Sequence, residues 1–130
     1  MTTHDTRFNG ESRESELNEP VSFSLGLHRC VGNAELYRRL LDRFLATRLT
    51  VPDDIRGLWL AGNLTESAMM AHSMISTAGT LGATALSEAA RALQQAFKQE
   101  QEPAQVEECL KIFGYEHALA IASIRKHIGG

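Results

Sequence analysis

The chain has 130 residues and a net charge of −3, with 13 lysines and arginines against 16 aspartates and glutamates. This length fits one domain, and the lack of a basic surplus argues against nucleic-acid binding. The sequence has no run of 18 apolar residues that could span a membrane and no apolar signal-peptide core, so we expect a cytoplasmic protein without membrane insertion.

The polar segment 1–20 predicts a disordered leader or linker. It contains five acidic and two basic residues, which account for the whole net charge, and few large apolar side chains. Such a segment buries too little apolar surface to offset the entropy lost on ordering. We therefore place a single helical domain at 21–130, which is long enough for a modest core.

The first part of this domain predicts one long helix between two short ones. The segment "VSFSLGLHR" is typical of a short helix or turn that closes one end of a core, and "PDDIRGLWLAGN" of a short helix. Between them, "NAELYRRLLDRFLATRL" has the spacing of an amphipathic helix, which Asn33 can cap. Its predicted apolar side consists of Leu36, Tyr37, Leu40, Leu41, Phe44 and Leu45.

The second part predicts three long helices: "LTESAMMAHSMISTAG" with Thr65 as its cap, "GATALSEAARALQQAFKQ", and "PAQVEECLKIFGYEHALAIASIRKHI". The middle helix is predicted to bury Leu86, Ala89, Ala90, Leu93 and Phe97. The last is predicted to bury Val106, Leu110, Phe113, His117, Ala120 or Ile121, Ile124 and Ile128. The resulting fold class is all-α: an antiparallel four-helix bundle with a short additional N-terminal helix or helices.

His72 is predicted to point away from the core of its helix. On a helical wheel the core side consists of Ser67, Met70, Ala71, Met74, Ala78 and Leu81. The other side carries small or apolar residues around His72, and we define a docking strip there as Ala68, Ile75, Ser76 and Gly79. An exposed helix face usually carries Glu, Lys or Arg, and the absence of these favours a surface that another protein approaches.

Other interpretations compete with this one. A lone surface histidine is often no more than an exposed polar residue. Metal binding is disfavoured, because the sequence has no HExxH or CxxC motif and no acidic residue three positions before His28, His72, His117 or His127. His117 is predicted to be a satisfied core or boundary histidine. No serine or cysteine lies in a nucleophile motif, and Cys30 and Cys109 are predicted to be free thiols in a reducing compartment.

The stretch "AHSMISTAGTLGATALSEAARAL" resembles the signature of histidine-containing phosphotransfer (HPt) domains, approximately A-H-x-L-K-G-S-A-G-x-L-G-A-x-x-L-x-x-x-A-x-x-L-E. The matching positions are Ala71, His72, Ala78, Gly79, Leu81, Gly82, Ala83, Leu86, Ala90 and Leu93, with Met74 for Leu and Thr77 for Ser. Upstream segments are also similar, so the resemblance extends over residues 23–128.

The resemblance implies a monomeric phosphocarrier in two-component signalling rather than an enzyme. His72 would take a phosphoryl group from the aspartyl-phosphate of a receiver domain and pass it to another receiver's aspartate. The implied partners are response-regulator receiver domains, a hybrid sensor histidine kinase, or both. The receiver would bind Mg²⁺, so the chain itself would need no cofactor. An exposed imidazole suits this role, because a neutral imidazole has one ring nitrogen whose lone pair can act as a nucleophile.

Three positions depart from the signature. Where the family has Lys and Gly, three and four residues after the histidine, this chain has Ile75 and Ser76, and Gln94 replaces the terminal Glu. Ile75 cannot attract a phosphoryl group but offers apolar contact, and the Ser76 hydroxyl can bond the carbonyl of His72. The alternative function is a degenerate docking module, which binds a receiver or sensor kinase without carrying phosphate.

Overall fold

The computed structural model describes residues 19–129, which form six α-helices and no strand. The helices are α1 (Phe23–Arg29), α2 (Ala34–Thr47), α3 (Val51–Leu60), α4 (Leu64–Leu81), α5 (Thr84–Lys98) and α6 (Pro103–Gly129). Two to four residues join consecutive helices, and such short connections favour antiparallel neighbours. The predicted all-α bundle is confirmed, with α2, α4, α5 and α6 as its long helices. The predicted leader lies outside the described residues, apart from Glu19 and Pro20.

The core lies where α5 packs against both α4 and α6, and α3 packs against α4 and α6 from another side. The predicted core side chains of α5 and α6 are buried, except that Ile128 is only partly buried. Each fully buried leucine or phenylalanine side chain stabilises the fold by roughly 1.5–3 kcal/mol. No helix within residues 19–129 combines the length and the apolar character needed to cross a bilayer.

The apolar side of α2 is narrower than predicted. Tyr37, Leu41 and Phe44 are buried, and Asn33 caps the helix through a hydrogen bond from the N–H of Leu36, as predicted. The side chain of Leu36, however, is 37% exposed. Leu40 and Leu45 are only partly buried. The reason is that α2 packs against α1 and α4, and through Phe44 against His117 of α6, so only one row of its side chains is fully covered.

The predicted cap of α4 is wrong by two positions. The helix begins at Leu64, and Asn63 is the capping residue, so Thr65 already lies within the first turn. The hydroxyl of Ser67 donates to the carbonyl of Asn63 at 2.8 Å. This bond explains why a serine is tolerated at a fully buried position of the helix.

The C-terminal end of α4 is fixed by the segment that leads into α1 and by α2. The last carbonyl groups of a helix have no partner within it. Here the Tyr37 hydroxyl donates to the carbonyl of Leu81 at 2.7 Å, and the N–H of Ser22 donates to the carbonyl of Gly82 at 2.9 Å. Burial, and to a smaller extent the nearby Cys30, raises the pKa of Tyr37 to about 12, so its hydroxyl remains a donor.

His117 is a buried histidine in α6, as predicted. It lies between Phe44 and Phe113, with ring centroids 6.0 and 6.3 Å away. Its Nε2–H donates to the carbonyl of Arg48 at 2.7 Å, which connects α6 to the end of α2. Desolvation lowers the pKa of His117 below 6.5, although the Arg48 carbonyl and the Asp53 carboxylate oppose this shift.

We expect the free energy of unfolding to fall as the pH drops below 6.5. The unfolded imidazole takes up its proton near 6.5, whereas the folded one does so only at lower pH. The contribution of neutral His117 is therefore complete above 6.5 and is lost as the pH falls through the folded-state pKa. Urea unfolding at a series of pH values measures this dependence. His117→Gln keeps a donor near Nε2 but cannot titrate, so it should flatten the slope; an unchanged slope would contradict the assignment.

Candidate functional site

The exposed face of α4 carries His72, as predicted from the helical wheel. The side-chain Nε2 of Gln94, on α5, lies 2.9 Å from Nδ1 of the imidazole. The other ring nitrogen, Nε2, makes no hydrogen bond to any residue within 19–129. The imidazole is therefore held at one nitrogen and open to an incoming group at the other.

The tight turn between α4 and α5 sets up this pair. Gly82 adopts the left-handed conformation, with φ of 92°, and the chain reverses within two residues. The two helices then run back along each other in antiparallel register. The hydroxyl of Ser87 donates to the carbonyl of Ile75 at 2.7 Å. Farther from the turn, His72 on α4 contacts Gln94 on α5.

A groove of about 640 Å³ lies beside His72, between α4 and the C-terminal half of α5. Its apolar lining includes Leu64, Ala68, Met69 and Phe97. Met69 is 66% exposed and precedes His72 by three residues, so it lies on the same side of the helix about one turn away. A large exposed apolar side chain next to an open groove is a feature of protein-contact surfaces.

Ala68 is wrong as an exposed member of the docking strip. Its side chain is only 8% exposed and forms part of the groove floor. The helical wheel places Ala68 on the same side as His72, but a wheel does not show which part of that side is covered by another helix. In the structure α5 covers that flank, as the contact between His72 and Gln94 shows.

Two other members of the docking strip lie close to His72 but differ in exposure. Ser76 is exposed, and Ile75 is half-buried against the core. The Ser76 hydroxyl lies 3.5 Å from the carbonyl of Ser73, so the predicted bond to the carbonyl of His72 is not formed. Of these two docking-strip residues, Ser76 is therefore the one whose side chain is exposed.

Gly79 is partly covered rather than open. The guanidinium of Arg29 donates a hydrogen bond to its carbonyl. A Cβ at this position would lie 3.5 Å from the hydroxyl oxygen of Ser87 and 3.7 Å from the Arg29 guanidinium. The glycine thus lies beneath a contact between α1 and α4, and it is not part of a bare approach surface.

Residues 39–125 match the family model of the Hpt domain, which is two thirds of the chain and includes all of α4 and α5. The chain belongs to the Hpt domain family. No curated protein and no solved structure gives a significant match. Hpt domains are phosphocarrier modules of histidine phosphotransfer in two-component signalling, and they interact with receiver domains and histidine kinases.

The matched region of this Hpt domain contains two histidines, His72 and His117. His117 is 5% exposed and its Nε2 is already bonded to a backbone carbonyl. His72 is exposed and has a free ring nitrogen. Among residues 19–129, no three His, Cys, Asp or Glu side chains come together as metal ligands. A reacting group from solvent can therefore reach a ring nitrogen of His72 but not of His117.

In the sequence Gln94 is only a departure from the signature, whereas in the structure its amide contacts the imidazole of His72. A neutral imidazole carries its proton on one nitrogen, and the hydrogen bond at the other end fixes which one. The Gln94 amide can bond either tautomer of His72. Its NH₂ donates to an unprotonated Nδ1, and its carbonyl accepts from Nδ1–H when the amide group is rotated by 180°. With the carbonyl toward Nδ1–H, the lone pair of Nε2 faces solvent.

The groove residues of α5 were not predicted as site residues. Phe97 appeared only as a core position, and Lys98 was not singled out at all, yet both line the groove beside His72. The spacing of Gln94 and Lys98, four residues apart on one helix face, was the available signal. This spacing alone does not show that the two residues face His72, because that depends on the register between α4 and α5.

Proposed function

We propose that His72 of this Hpt domain accepts a phosphoryl group from the aspartyl-phosphate of a receiver domain and passes it to an aspartate of another receiver. The observation that supports this is the difference between the two histidines of the matched region. Of these two, the imidazole of His72 is the one with a nitrogen that an incoming phosphoryl group can reach, and it lies beside an open, partly apolar groove.

The transfer needs few groups from this chain. The Nε2 lone pair of His72 attacks phosphorus, a P–N bond forms, and the P–O bond to the receiver aspartate breaks. The bonding electrons return to the aspartate oxygen, which becomes a carboxylate, while the proton on Nδ1 stays on the ring. The return step is the same exchange in reverse with a second aspartate. Mg²⁺ on the receiver would neutralise the phosphoryl oxygens, and Gln94 orients the ring.

A labelling time course tests this proposal. A panel of receiver domains is charged with radiolabelled acetyl phosphate in Mg²⁺, desalted, and mixed with the protein. We expect label on the protein that is acid-labile and base-stable, as phosphohistidine is, and peptide mapping should locate it at His72. Label on another residue would contradict the proposal. Receiver binding with no label from any member of the panel would instead support the docking module.

Replacing Gln94 by leucine is expected to slow transfer about tenfold, because the ring loses the one hydrogen bond that orients it. Gln94→Glu should retain most of the rate, since a carboxylate still accepts from Nδ1–H. Initial rates of labelling from one phosphorylated receiver measure both variants. A Leu variant that is as fast as the wild type would show that the contact between Gln94 and His72 does not contribute to transfer.

A further inference from the structure

One side of α6 is apolar but exposed. The buried side chains of this helix lie on the opposite side, toward α5 and α3. Ile112 and Tyr115 are 47% and 64% exposed and lie three residues apart, about one turn. Leu119, half-buried, and Ala122, exposed, continue the same side at the next steps of four and three residues. We call these four residues the α6 stripe, and a contiguous apolar patch of this kind is a feature of protein-contact surfaces.

The spacing of the α6 stripe is that of a coiled-coil seam, in which alternating steps of three and four residues align side chains against a second helix. One further step at each end reaches a charged residue. Glu108 lies four residues before Ile112, and Lys126 lies four residues after Ala122. Both charged side chains are exposed, and neither forms an ion pair within residues 19–129. The stripe therefore has an apolar centre, a negative end and a positive end.

This arrangement makes the α6 stripe complementary to itself. When two copies of α6 lie antiparallel and centred midway along the stripe, its residues and its two charged ends face one another in three kinds of pair. The pairs are Ile112 with Ala122, Tyr115 with Leu119, and Glu108 with Lys126. Opposite charges then meet at both ends of the seam. In a parallel pair Glu108 would instead face Glu108, and Lys126 would face Lys126, so like charges disfavour that orientation.

We infer that two copies of this chain associate through the α6 stripe, antiparallel and related by a two-fold axis. The partner is a second copy because the stripe itself carries the charge that each of its ends requires. Two-fold symmetry makes every contact occur twice. One helix from each copy forms a small interface, so the dimer is reversible and depends on concentration. It differs from the monomer that the family resemblance implies.

The dimer leaves the phosphotransfer site open. His72 lies on α4, which packs against α5, whereas the α6 stripe lies on the side of α6 that is turned away from α5. Both copies of His72 therefore remain accessible to a receiver, and the inference does not depend on the proposed function.

Sedimentation equilibrium of the full chain over a range of concentrations tests the inference. We expect the apparent mass to rise from 14.3 kDa toward twice that value. Tyr115→Lys places two like charges at the centre of the seam and should raise the dissociation constant roughly tenfold or more. The matched control is Leu60→Lys, which adds the same charge at an apolar residue on α3 that is 69% exposed, and it should leave the constant unchanged.

Charge reversal tests the orientation. Glu108→Lys and Lys126→Glu should each raise the dissociation constant roughly fivefold, because like charges then meet in the antiparallel dimer. The double variant Glu108→Lys/Lys126→Glu should return it to near the wild-type value. A parallel dimer would show no such recovery, since the double variant still opposes like charges.

A monomeric mass at every concentration, or a dimer that Tyr115→Lys does not weaken, would overturn the inference. A double charge variant that associates no more tightly than the single ones would also overturn it. Each of these results leaves the proposed function standing, because labelling of His72 is measured separately. Far-UV circular dichroism checks that every variant keeps its helical content.

Discussion

Gly82→Ala is expected to destabilise the fold by about 3 kcal/mol or more. The glycine has φ of 92°, where a side chain is strained, and a Cβ there would overlap the carbonyl oxygen of Ser22. The carbonyl of Gly82 also accepts the N–H of Ser22 at 2.9 Å. An alanine therefore strains the turn and forces α1 away from the end of α4. Urea unfolding followed by circular dichroism measures the loss.

Gly62→Ala is the matched control for this prediction. Gly62 also ends a helical segment with positive φ, 86°, but no atom outside its immediate neighbours lies within 4 Å of where a Cβ would be. The alanine there should cost only the backbone strain, about 1–2 kcal/mol. If the two variants lose the same stability, then the close approach of Ser22 to Gly82 contributes nothing, and the anchoring of α4 by α1 is not important for the fold.

Most of the fold is predictable from the sequence, because burial repeats with the helical period. The faces of α5 and α6 have alanine, leucine and phenylalanine at this spacing, and both faces are buried as predicted. The prediction was poorer for α2, where Leu36 has the right spacing but remains exposed. Periodicity gives the side of a helix that is apolar, whereas its neighbours decide how wide the buried part is.

The site was predictable in its central residue but not in its surroundings. The absence of charged residues around His72 indicated an exposed contact face, and the structure does expose that histidine. The contacts from Gln94, Arg29 and Ser87 come from other helices, at distances in sequence that no local pattern reveals. For the same reason Ala68 was assigned to the exposed strip, although α5 covers it.

The substitution of Ile75 for the family's lysine is also clearer in this setting. Considered along α4 alone, it removes the one cation next to the histidine. Considered across the pair of helices, Ile75 is half-buried, and its carbonyl is bonded to Ser87 on α5, the helix whose Lys98 lines the groove beside His72. Loss of charge on one helix therefore does not by itself make the domain a pure docking module.

His72→Gln is expected to reduce phosphoryl labelling to background while leaving the fold intact. Glutamine has no nucleophilic nitrogen, because its amide lone pair is delocalised, so no P–N bond can form. The side chain of His72 is exposed, so we expect a stability change within about 0.5 kcal/mol. Label transfer from the same phosphorylated receiver panel, together with urea unfolding, measures both effects.

The matched control is His28→Gln, which changes another exposed histidine, on α1 and outside the matched region. It should label at the wild-type rate. Receiver binding should survive in His72→Gln, because the groove formed by Met69, Phe97 and their neighbours is unchanged. A variant that binds the receiver normally but takes no label separates docking from transfer. Label that persists in His72→Gln, or disappears in His28→Gln, would show that the phosphoryl group is carried elsewhere.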